Sequence, residues 1–328
     1  MRSTLTWLDA VIESHRDVTP TVREFCIKPA DGAQPHEPGG HLQLQLLVNG
    51  QPVTRSYSLV GAPDLTCYRI AVKRLDDGRG GSLAMWQLAT GDRLQVTAPQ
   101  NYFALDLNAP AYLLVAGGIG ITPLVSMAQT LGQRGAAVRM LYGARAQAEL
   151  AFLPLLDAAV GDGLQSFVGE RGEQIDFARE IAALRQGAQM YICGPAPMLD
   201  AARRAWAAAG RPLADLRYET FGNSGRFAPQ AFRVQIPRHQ MDIMVPADCS
   251  LLDALEMAGL QTISNCRRGE CGLCTMEVLS VKGEIDHRDV FLSDHEKQTR
   301  QRMCVCVSRV VGEVTLESAY WPEASQAG

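Results

Sequence analysis

The chain has 328 residues, of which 47% are hydrophobic and 20% are charged, and its formal net charge is −4. This balance is typical of a globular protein, and the length predicts two or three domains of about 100 to 150 residues each. The mildly negative charge and the absence of a lysine–arginine run exclude an ordinary nucleic-acid-binding protein.

The nine cysteines are too few for a disulfide scaffold, and five of them fall in the last 63 residues. Such local crowding favours metal ligation in a reducing compartment, so we expect a cytoplasmic protein. No signal peptide is expected, because the first 17 residues carry charges where an apolar core would be required. Residues 109–128 are apolar over about a membrane span, but their glycines and Pro123 favour a buried strand, turn and helix.

The first hundred residues predict an antiparallel β-barrel or sandwich. HLQLQLLV and YRIAVKRL alternate between apolar and polar residues, as half-buried strands do. From Asn108 onward the pattern changes to strands alternating with helices, starting with the apolar run AYLLVA and ending with a helix stopped at Gly210. This alternation predicts a parallel α/β sheet.

A third region follows the glycine-rich linker FGNSGRFAPQ. FRVQI predicts a strand, and SLLDALEMAGL predicts a short helix with Ser250 as N-cap and Gly259 as its stop. A cysteine-rich loop and further strands around CVSRV and EVTLES complete the chain.

The cysteine-rich loop predicts an iron–sulfur cluster. Cys266, Cys271 and Cys274 have the spacing Cys-x4-Cys-x2-Cys, which wraps the chain around a cluster, and Gly269 and Gly272 permit tight turns there. Structural zinc is the alternative, although zinc prefers paired Cys-x2-Cys knuckles or mixed cysteine and histidine ligands. A fourth thiolate is required, and both Cys304 and Cys306 are available downstream.

Two glycine-rich turns suggest phosphate-binding sites. GRGGS precedes a helical stretch, about 20 residues after RSYSL, and the start of a helix presents N–H groups to an anion. GGIGITP follows the buried strand AYLLVA, with Thr122 and Pro123 as N-cap and first helical residue. CGP ends a later strand, so it should lie at the carboxyl edge of the same sheet, where α/β proteins bind ligands. Alone, GRGGS and GGIGITP also fit ordinary turns, RSYSL fits an ordinary strand, and Cys193 fits a buried apolar cysteine.

Together, these four motifs resemble the three-domain reductases of the phthalate dioxygenase reductase family, which includes vanillate demethylase reductases. The resemblance extends from Thr6 to Leu316, and the segment from Phe232 onward resembles a plant-type [2Fe–2S] ferredoxin. It implies an antiparallel, ferredoxin-reductase-like β-barrel for FMN over residues 1–107. It also implies an α/β parallel-sheet domain for NAD over 108–225 and an α+β β-grasp ferredoxin domain over 226–328.

The resemblance also implies site residues. For FMN they are Arg55, Ser56, Tyr57, Ser58, Lys73, Gly80, Gly81, Ser82, Glu219 and Phe221. For NAD they are Gly118, Gly120, Thr122, Pro123, Arg145, Cys193, Gly194 and Met198. Ser58 and Cys193 are the implied catalytic residues, and Cys266, Cys271, Cys274 and Cys306 are the implied cluster ligands.

The fourth ligand was assigned by comparing two features of the family. Relatives have a gap of about 29 residues before the fourth cysteine, and 29 residues separate Cys274 from Cys304. However, Cys306 lies at the family's usual distance from the HRD tripeptide that begins at His287, and a Val-Ser pair follows it as in relatives. Two extra residues in the turn before His287 explain the difference, because turns tolerate insertions. We therefore predict Cys306.

The implied function is electron transfer from NADH through FMN and the cluster to a terminal oxygenase. A Rieske-type non-haem iron oxygenase is the expected partner, a haem monooxygenase is the second choice, and a monomer is expected. NADPH is less favoured, although Arg145 follows the second α/β strand where a 2′-phosphate could bind and the nearest acidic residue is Glu149. The alternative from another class is a non-enzymatic, metal-stabilised binding protein.

Overall fold

The computed structural model describes residues 6–76, 78–221 and 225–317. Its described residues form two compact units, one comprising 6–76 with 80–219 and the other built mainly from the chain after Thr220. The first unit holds two sheets and the second holds one. The three predicted domain ranges stay predictions.

The first sheet has six antiparallel strands in the order β4-β3-β6-β1-β2-β5. Its elements are β1 (Trp7–Thr19), β2 (Val22–Pro29), β3 (His41–Val48), β4 (Gln51–Ser58), β5 (Tyr68–Lys73), α1 (Gly81–Gln87) and β6 (Arg93–Thr97). Alternate residues of β3, such as Leu42, Leu44 and Leu46, are buried in the core of this sheet. The predicted antiparallel architecture is therefore confirmed.

This sheet is not a closed barrel. Its edge strands β4 and β5 meet at one isolated bridge, between Leu59 and Ile70, and the Val60 N–H donates to the Arg69 carbonyl over 2.8 Å. After Val60 the chain leaves the ladder at a bend at Gly61 and returns only at Tyr68, where β5 begins. The seam between the edge strands consequently stays largely open.

The second sheet has five parallel strands in the order β11-β10-β7-β8-β9. The strands are β7 (Tyr112–Gly117), β8 (Val138–Ala144), β9 (Leu164–Val168), β10 (Gln189–Cys193) and β11 (Leu216–Glu219), and the helices are α2 (Ile121–Gln133), α3 (Leu153–Val160), α4 (Phe177–Ala182) and α5 (Ala196–Ala208). β7 and β10 are buried along their whole length, as parallel strands covered on both faces should be. The predicted parallel α/β sheet is confirmed.

The predicted start of α2 was wrong. A 3₁₀ turn over Gly118–Gly120 comes first, and α2 begins at Ile121 with Gly120 as its N-cap. The Thr122 hydroxyl donates to the Ile119 carbonyl over 3.0 Å instead of capping an N–H group. Residues 109–128 thus contain β7, a turn and the first half of α2, as predicted. Among the described residues, no helix is long and apolar enough to cross a lipid bilayer.

The third sheet is mixed, in the order β13-β12-β16-β14-β15, with β12 and β16 parallel. Its elements are β12 (Phe232–Ile236), β13 (Met241–Val245), α6 (Leu251–Met257), β14 (Thr275–Asp286), α7 (Asp294–Thr299), β15 (Arg302–Cys304) and β16 (Arg309–Glu317). The Ser250 hydroxyl caps α6 by accepting the Asp253 N–H over 3.0 Å, and Gly259 has a positive φ of 84°, as predicted. This is the β-grasp arrangement expected for a ferredoxin domain.

Candidate redox sites

The fold brings the two flavin motifs together. Arg55 lies on β4, and Gly81 begins α1 directly after GRG. A Cβ placed on Gly81 would lie 2.8 Å from the Arg55 Nε atom, so only glycine leaves room for this guanidinium at the start of α1. An arginine beside the glycine-rich turn fits the recognition of a phosphate group.

Ser58 ends β4 with its hydroxyl buried and without a hydrogen-bond partner among the described residues. Buried hydroxyls normally have partners, so this one fits a site that a bound group completes. Ser82, by contrast, is already engaged, because its hydroxyl accepts the Leu75 N–H over 3.1 Å. The residues on β4 therefore fit a flavin better than the Ser82 hydroxyl does.

Lys73 and Glu149 form an ion pair that the sequence did not indicate. The Lys73 ammonium lies 2.7 Å from the Glu149 carboxylate, which also accepts the Thr21 hydroxyl at 2.6 and 2.8 Å. Burial alone would raise the pKa of Glu149, but these hydrogen bonds outweigh it and hold the pKa below its ordinary value. Glu149 thereby joins the parallel sheet, predicted to be the nucleotide-binding sheet, to the antiparallel sheet, predicted to be the flavin-binding sheet.

The two nicotinamide motifs pack against each other at the carboxyl edge of the parallel sheet. A Cβ on Gly120 would lie 2.2 Å from the Cys193 carbonyl oxygen, and one on Gly117 would lie 2.7 Å from the Met198 sulfur. β7 and β10 are neighbours there, although they are not consecutive in the chain. Such a reversal of strand order is where open α/β sheets bind their ligands.

The remaining predicted nicotinamide and flavin residues lie along the same edge or just beyond it. Cys193 is fully buried and pairs with Glu219 in the β10–β11 register. Phe221 is half-buried and follows β11 by two residues. Arg145 directly follows β8 and is exposed. Glu219 is buried as well, at the end of β11.

In the cysteine loop, backbone N–H groups converge on a cysteine sulfur. The Cys266 sulfur accepts the backbone N–H groups of Arg268, Glu270 and Cys271, each at 3.4 Å. Gly269 and Gly272 both have positive φ, of 78° and 72°, as the predicted tight turns require. Cys266 is buried and Cys271 is half-exposed, so one side of the loop faces solvent.

Hydrogen bonding with neighbouring cysteines lowers the pKa of two sulfurs in this region, which favours their thiolate forms. Hydrogen bonds with Cys304 and Cys306 lower the pKa of Cys274 to about 4. A hydrogen bond with Cys266 lowers the pKa of Cys271 to about 6. The thiolate is the form that binds iron, so this donor set fits a cluster.

Both late cysteines lie beside Cys274. The Cys274 and Cys306 sulfurs are 3.1 Å apart, and Cys304 ends β15 opposite Thr275. Cys304 and Cys306 are both buried. Hydrogen bonding with Cys274 is the main cause that raises the pKa of each thiol, and burial adds to it. The geometry therefore admits Cys306 as fourth ligand, and that assignment stays a prediction.

The two arginines of the loop have protein partners. Arg267 contacts Asp253 at 2.8 Å and Glu256 at 2.7 Å, both on α6. Arg268 is buried and pairs with Glu270 at 2.8 Å. Their charges are therefore balanced locally by carboxylates of the same unit.

Cys26 and Cys67 form a disulfide, with Cα atoms 5.8 Å apart. The sequence places both in strand-like segments and suggested no chemistry for them. Their proximity depends on the pairing of β2 with β5, which local sequence patterns do not specify.

Two segments of the chain match known protein families. Residues 235–311 match a family model described as a 2Fe-2S iron-sulfur cluster binding domain. Residues 95–216 match the N-terminal domain of DmmA-like dimethylamine monooxygenase subunits. The first match covers the cysteine loop and both late cysteines.

Full-length relatives are also similar. Phenoxybenzoate dioxygenase subunit beta of Ectopseudomonas oleovorans is 39% identical, covering 88% of this chain and 89% of the relative. The heme-dependent oxidative N-demethylase beta subunit of Ectopseudomonas mendocina is 36% identical, and the match covers 95% of this chain and 98% of the relative.

The solved structure of phthalate dioxygenase reductase, described as a modular structure for electron transfer from pyridine nucleotides to [2Fe-2S], has a TM-score of 0.76 to this chain. It is 32% identical, with coverage of 95% of this chain and 98% of that one. Such likeness over nearly the whole length also implies the cofactors FMN, NADH and a [2Fe–2S] cluster. The chain belongs to the phthalate dioxygenase reductase family of iron–sulfur flavoprotein oxidoreductases, the reductase components of multicomponent oxygenases.

Proposed function

We propose that the chain carries electrons from NADH to a terminal oxygenase through sites in three consecutive regions. Residues 1–107 hold FMN, residues 108–225 hold the nicotinamide, and residues 226–328 hold the cluster. The four-sulfur set of Cys266, Cys271, Cys274 and Cys306 carries the proposal, because a flavin reductase without a one-electron outlet would not need it.

The flavin-binding sheet positions its cofactor through a few side chains. Arg55, beside the Gly81 turn, holds the phosphate, and Ser58 donates its unpaired buried hydroxyl to the flavin ring. When bound there, FMN would supply the conversion of a two-electron hydride into single electrons for the cluster. No general acid or base is required for this hydride transfer, so the protein acts mainly by orienting the two rings.

The carboxyl edge of the parallel sheet at the ends of β7 and β10, called here the nicotinamide edge, is formed by backbone groups more than by charged side chains. Gly120 and Gly117 leave room for the Cys193–Pro195 turn, which brings Cys193 and Glu219 to neighbouring strand ends. Arg145 is exposed at the end of β8, where the adenosine ribose of a nucleotide would lie. Glu149 is occupied by Lys73 and Thr21, which leaves it poorly placed to bind a ribose hydroxyl.

The electron acceptor is proposed to be a Rieske-type non-haem iron oxygenase. The relationship with a dioxygenase subunit supports this choice. A haem monooxygenase is the second candidate, favoured by the likeness to a heme-dependent N-demethylase subunit. We further propose a monomer in the cytoplasm, where cluster thiolates stay reduced.

Anaerobic titration of the holoprotein with NADH or NADPH tests the proposal. NADH is expected to bleach the flavin and cluster absorbance together, and NADPH is expected to act far more slowly. A flavin that is reduced while the cluster stays oxidised would contradict the electron path. A colourless protein that contains zinc would support the non-enzymatic alternative.

The nature of the partner is tested by adding purified oxygenases to the NADH-reduced protein. Oxidation of the reductase cluster by a Rieske-type oxygenase, without reaction with a haem monooxygenase, is the expected result. Oxidation of the cluster by the haem enzyme but not by the Rieske-type oxygenase would identify a haem monooxygenase as the partner.

A further inference from the structure

Cys26 and Cys67 are joined on the outer side of the flavin-binding sheet. Cys26 lies on β2 and is half-buried, whereas Cys67 immediately precedes β5 and is 3% exposed. Cys26 is paired with Arg69 in the β2–β5 register, so Cys67 lies diagonally across the strand pair. None of the other seven cysteines forms a disulfide.

The chemistry of the rest of the chain makes this disulfide unusual. Cluster ligands must be thiolates when iron is inserted, so the chain must fold where thiols are kept reduced; this step rests on the proposed cluster. Disulfides in such surroundings are usually transient, catalytic or redox-sensing. A permanent structural role would conflict with those conditions.

We propose that Cys26 and Cys67 form a reversible oxidation site, closed by peroxides and opened by dithiols, that fastens or releases residues 60–66. Cys26 is the more accessible of the two cysteines. The Glu13 carboxylate lies 3.3 Å from the Cys26 sulfur and 3.1 Å from the Lys28 ammonium. Glu13 is thus placed to accept a hydrogen bond from the Cys26 thiol when the bond opens.

The disulfide lies at the C-terminal end of residues 60–66, a segment that backbone hydrogen bonds also hold at Val60 and Leu65. Residues 60–66 connect β4 to β5, and they begin directly after the Ser58–Leu59 pair. The Val60 N–H donates to Arg69 over 2.8 Å, and the Leu65 carbonyl accepts the Ala33 N–H over 3.1 Å. Without the disulfide, no described covalent link ties the end of this segment to β2.

The same segment faces the nucleotide-binding sheet. Residues 60–65 line a cavity of about 430 Å³ together with Gln129 of α2 and Leu155 of α3. Changing the attachment of the segment therefore alters a contact region between the flavin-binding and nucleotide-binding sheets. The disulfide adds a covalent link beside the Ile27–Tyr68 pair, the end of the β2–β5 ladder.

The proposed reactions balance. In closure, the two thiols and one hydrogen peroxide give one disulfide and two water molecules. In opening, a dithiol sulfur attacks Cys26, the bond to Cys67 breaks, and Cys67 leaves as a thiolate that takes a proton. The second thiol of the reductant then releases Cys26, and the reductant departs as a disulfide.

The test equilibrates the holoprotein anaerobically with buffers of reduced and oxidised glutathione in varying ratio. Differential alkylation with peptide mass spectrometry measures the fraction of crosslinked Cys26 and Cys67. Hydrogen exchange measures the protection of residues 60–66 in the same samples. The crosslinked fraction is expected to change within the series, and closure is expected to slow exchange in this segment roughly tenfold.

Two variants serve as references. The double variant Cys26→Ser, Cys67→Ala should show fast exchange at every ratio, whereas Cys249→Ser should behave as the natural sequence, because Cys249 is a half-buried cysteine of the other unit that forms no disulfide. A disulfide that persists at the most reducing ratio would contradict reversibility, as would one that never forms. Closure without a change in exchange would contradict the fastening role. Iron content, measured separately, reports on the proposed cluster whatever the disulfide does.

Discussion

Two cysteines near Cys274, Cys304 and Cys306, are both candidates for the fourth cluster ligand. Both hydrogen-bond to the Cys274 sulfur, but a four-sulfur site needs only one of them. The distance to the HRD tripeptide favours Cys306, whereas the simple residue count favours Cys304.

The variant Cys306→Ser is expected to lose the cluster and keep the flavin, because a serine oxygen replaces one of the four required sulfurs. Cys304→Ser is the matched control, since it is equally buried and only two residues away, and it should keep both cofactors. Iron analysis and the visible spectrum distinguish them. The reverse pattern would show that Cys304 is the ligand.

Ser58 offers a second test at the residue scale. Removal of its buried hydroxyl in Ser58→Ala should slow flavin reduction by NADH about 2- to 10-fold, the worth of one ordinary hydrogen bond. FMN should remain bound, because Arg55 and the Gly81 turn are unchanged. Stopped-flow absorbance measures the rate, and Ser14→Ala on exposed β1 should have no effect. An unchanged rate in Ser58→Ala would remove Ser58 from the mechanism.

At the scale of elements, the contact between the turn after β7 and the end of β10 determines the nicotinamide edge. The Gly120 φ of −61° would suit any residue, so space alone requires glycine there. Gly143 on β8 provides a contrast, because the atom nearest to a Cβ there is 3.8 Å away.

Gly120→Ala is therefore expected to lower the free energy of unfolding by about 1 to 3 kcal/mol and to raise the KM for NADH, since the added methyl group pushes the turn away from Cys193. Gly143→Ala should change both quantities little. Urea unfolding and steady-state kinetics measure the two effects. Equal behaviour of the two variants would contradict the close packing of these turns.

The Lys73–Glu149 pair joins two sheets and should depend on pH. The pKa of Glu149 is lowered in the folded protein, so its stabilisation is complete above the unfolded value of about 4.3 and is lost as pH falls through the lower folded value. Glu149→Gln should cost about 1 to 3 kcal/mol at pH 7, as for hydrogen bonds to a charged group.

Urea unfolding at pH 7 and below pH 4 checks this prediction, because the difference between Glu149→Gln and the natural sequence should shrink in acid. Glu13→Gln is the control, since the Lys28–Glu13 pair is largely exposed, and its effect should be near zero. A difference for Glu149→Gln that is the same at both pH values would contradict the role of this ion pair.

At the scale of the whole molecule, local patterns predicted more than contacts between distant segments. The cysteine loop, the Ser250 cap and the apolar strand β7 depend on neighbours in sequence, and they were predicted correctly. Cys26 with Cys67 and Lys73 with Glu149 depend on which strands and sheets meet, which no local pattern specifies. The open seam between β4 and β5 was missed for the same reason.

The prediction of the N-cap of α2 was wrong for a different physical reason. Thr122 has the residue type of a cap, but the chain first forms a 3₁₀ turn, which moves the cap to Gly120. Short turns of this kind depend on the close approach of Cys193, a contact made by a strand far along the chain.

Electron paramagnetic resonance after rapid freezing tests the electron path most directly. The holoprotein is mixed anaerobically with NADH, and the signal of the reduced [2Fe–2S] cluster is followed over time beside flavin absorbance. The signal should appear as the flavin is reduced, and Cys274→Ser should reduce its flavin without giving the signal. If NADH reduces the flavin but leaves the natural protein without a signal, while dithionite produces one, the cluster is not the outlet for electrons from the flavin.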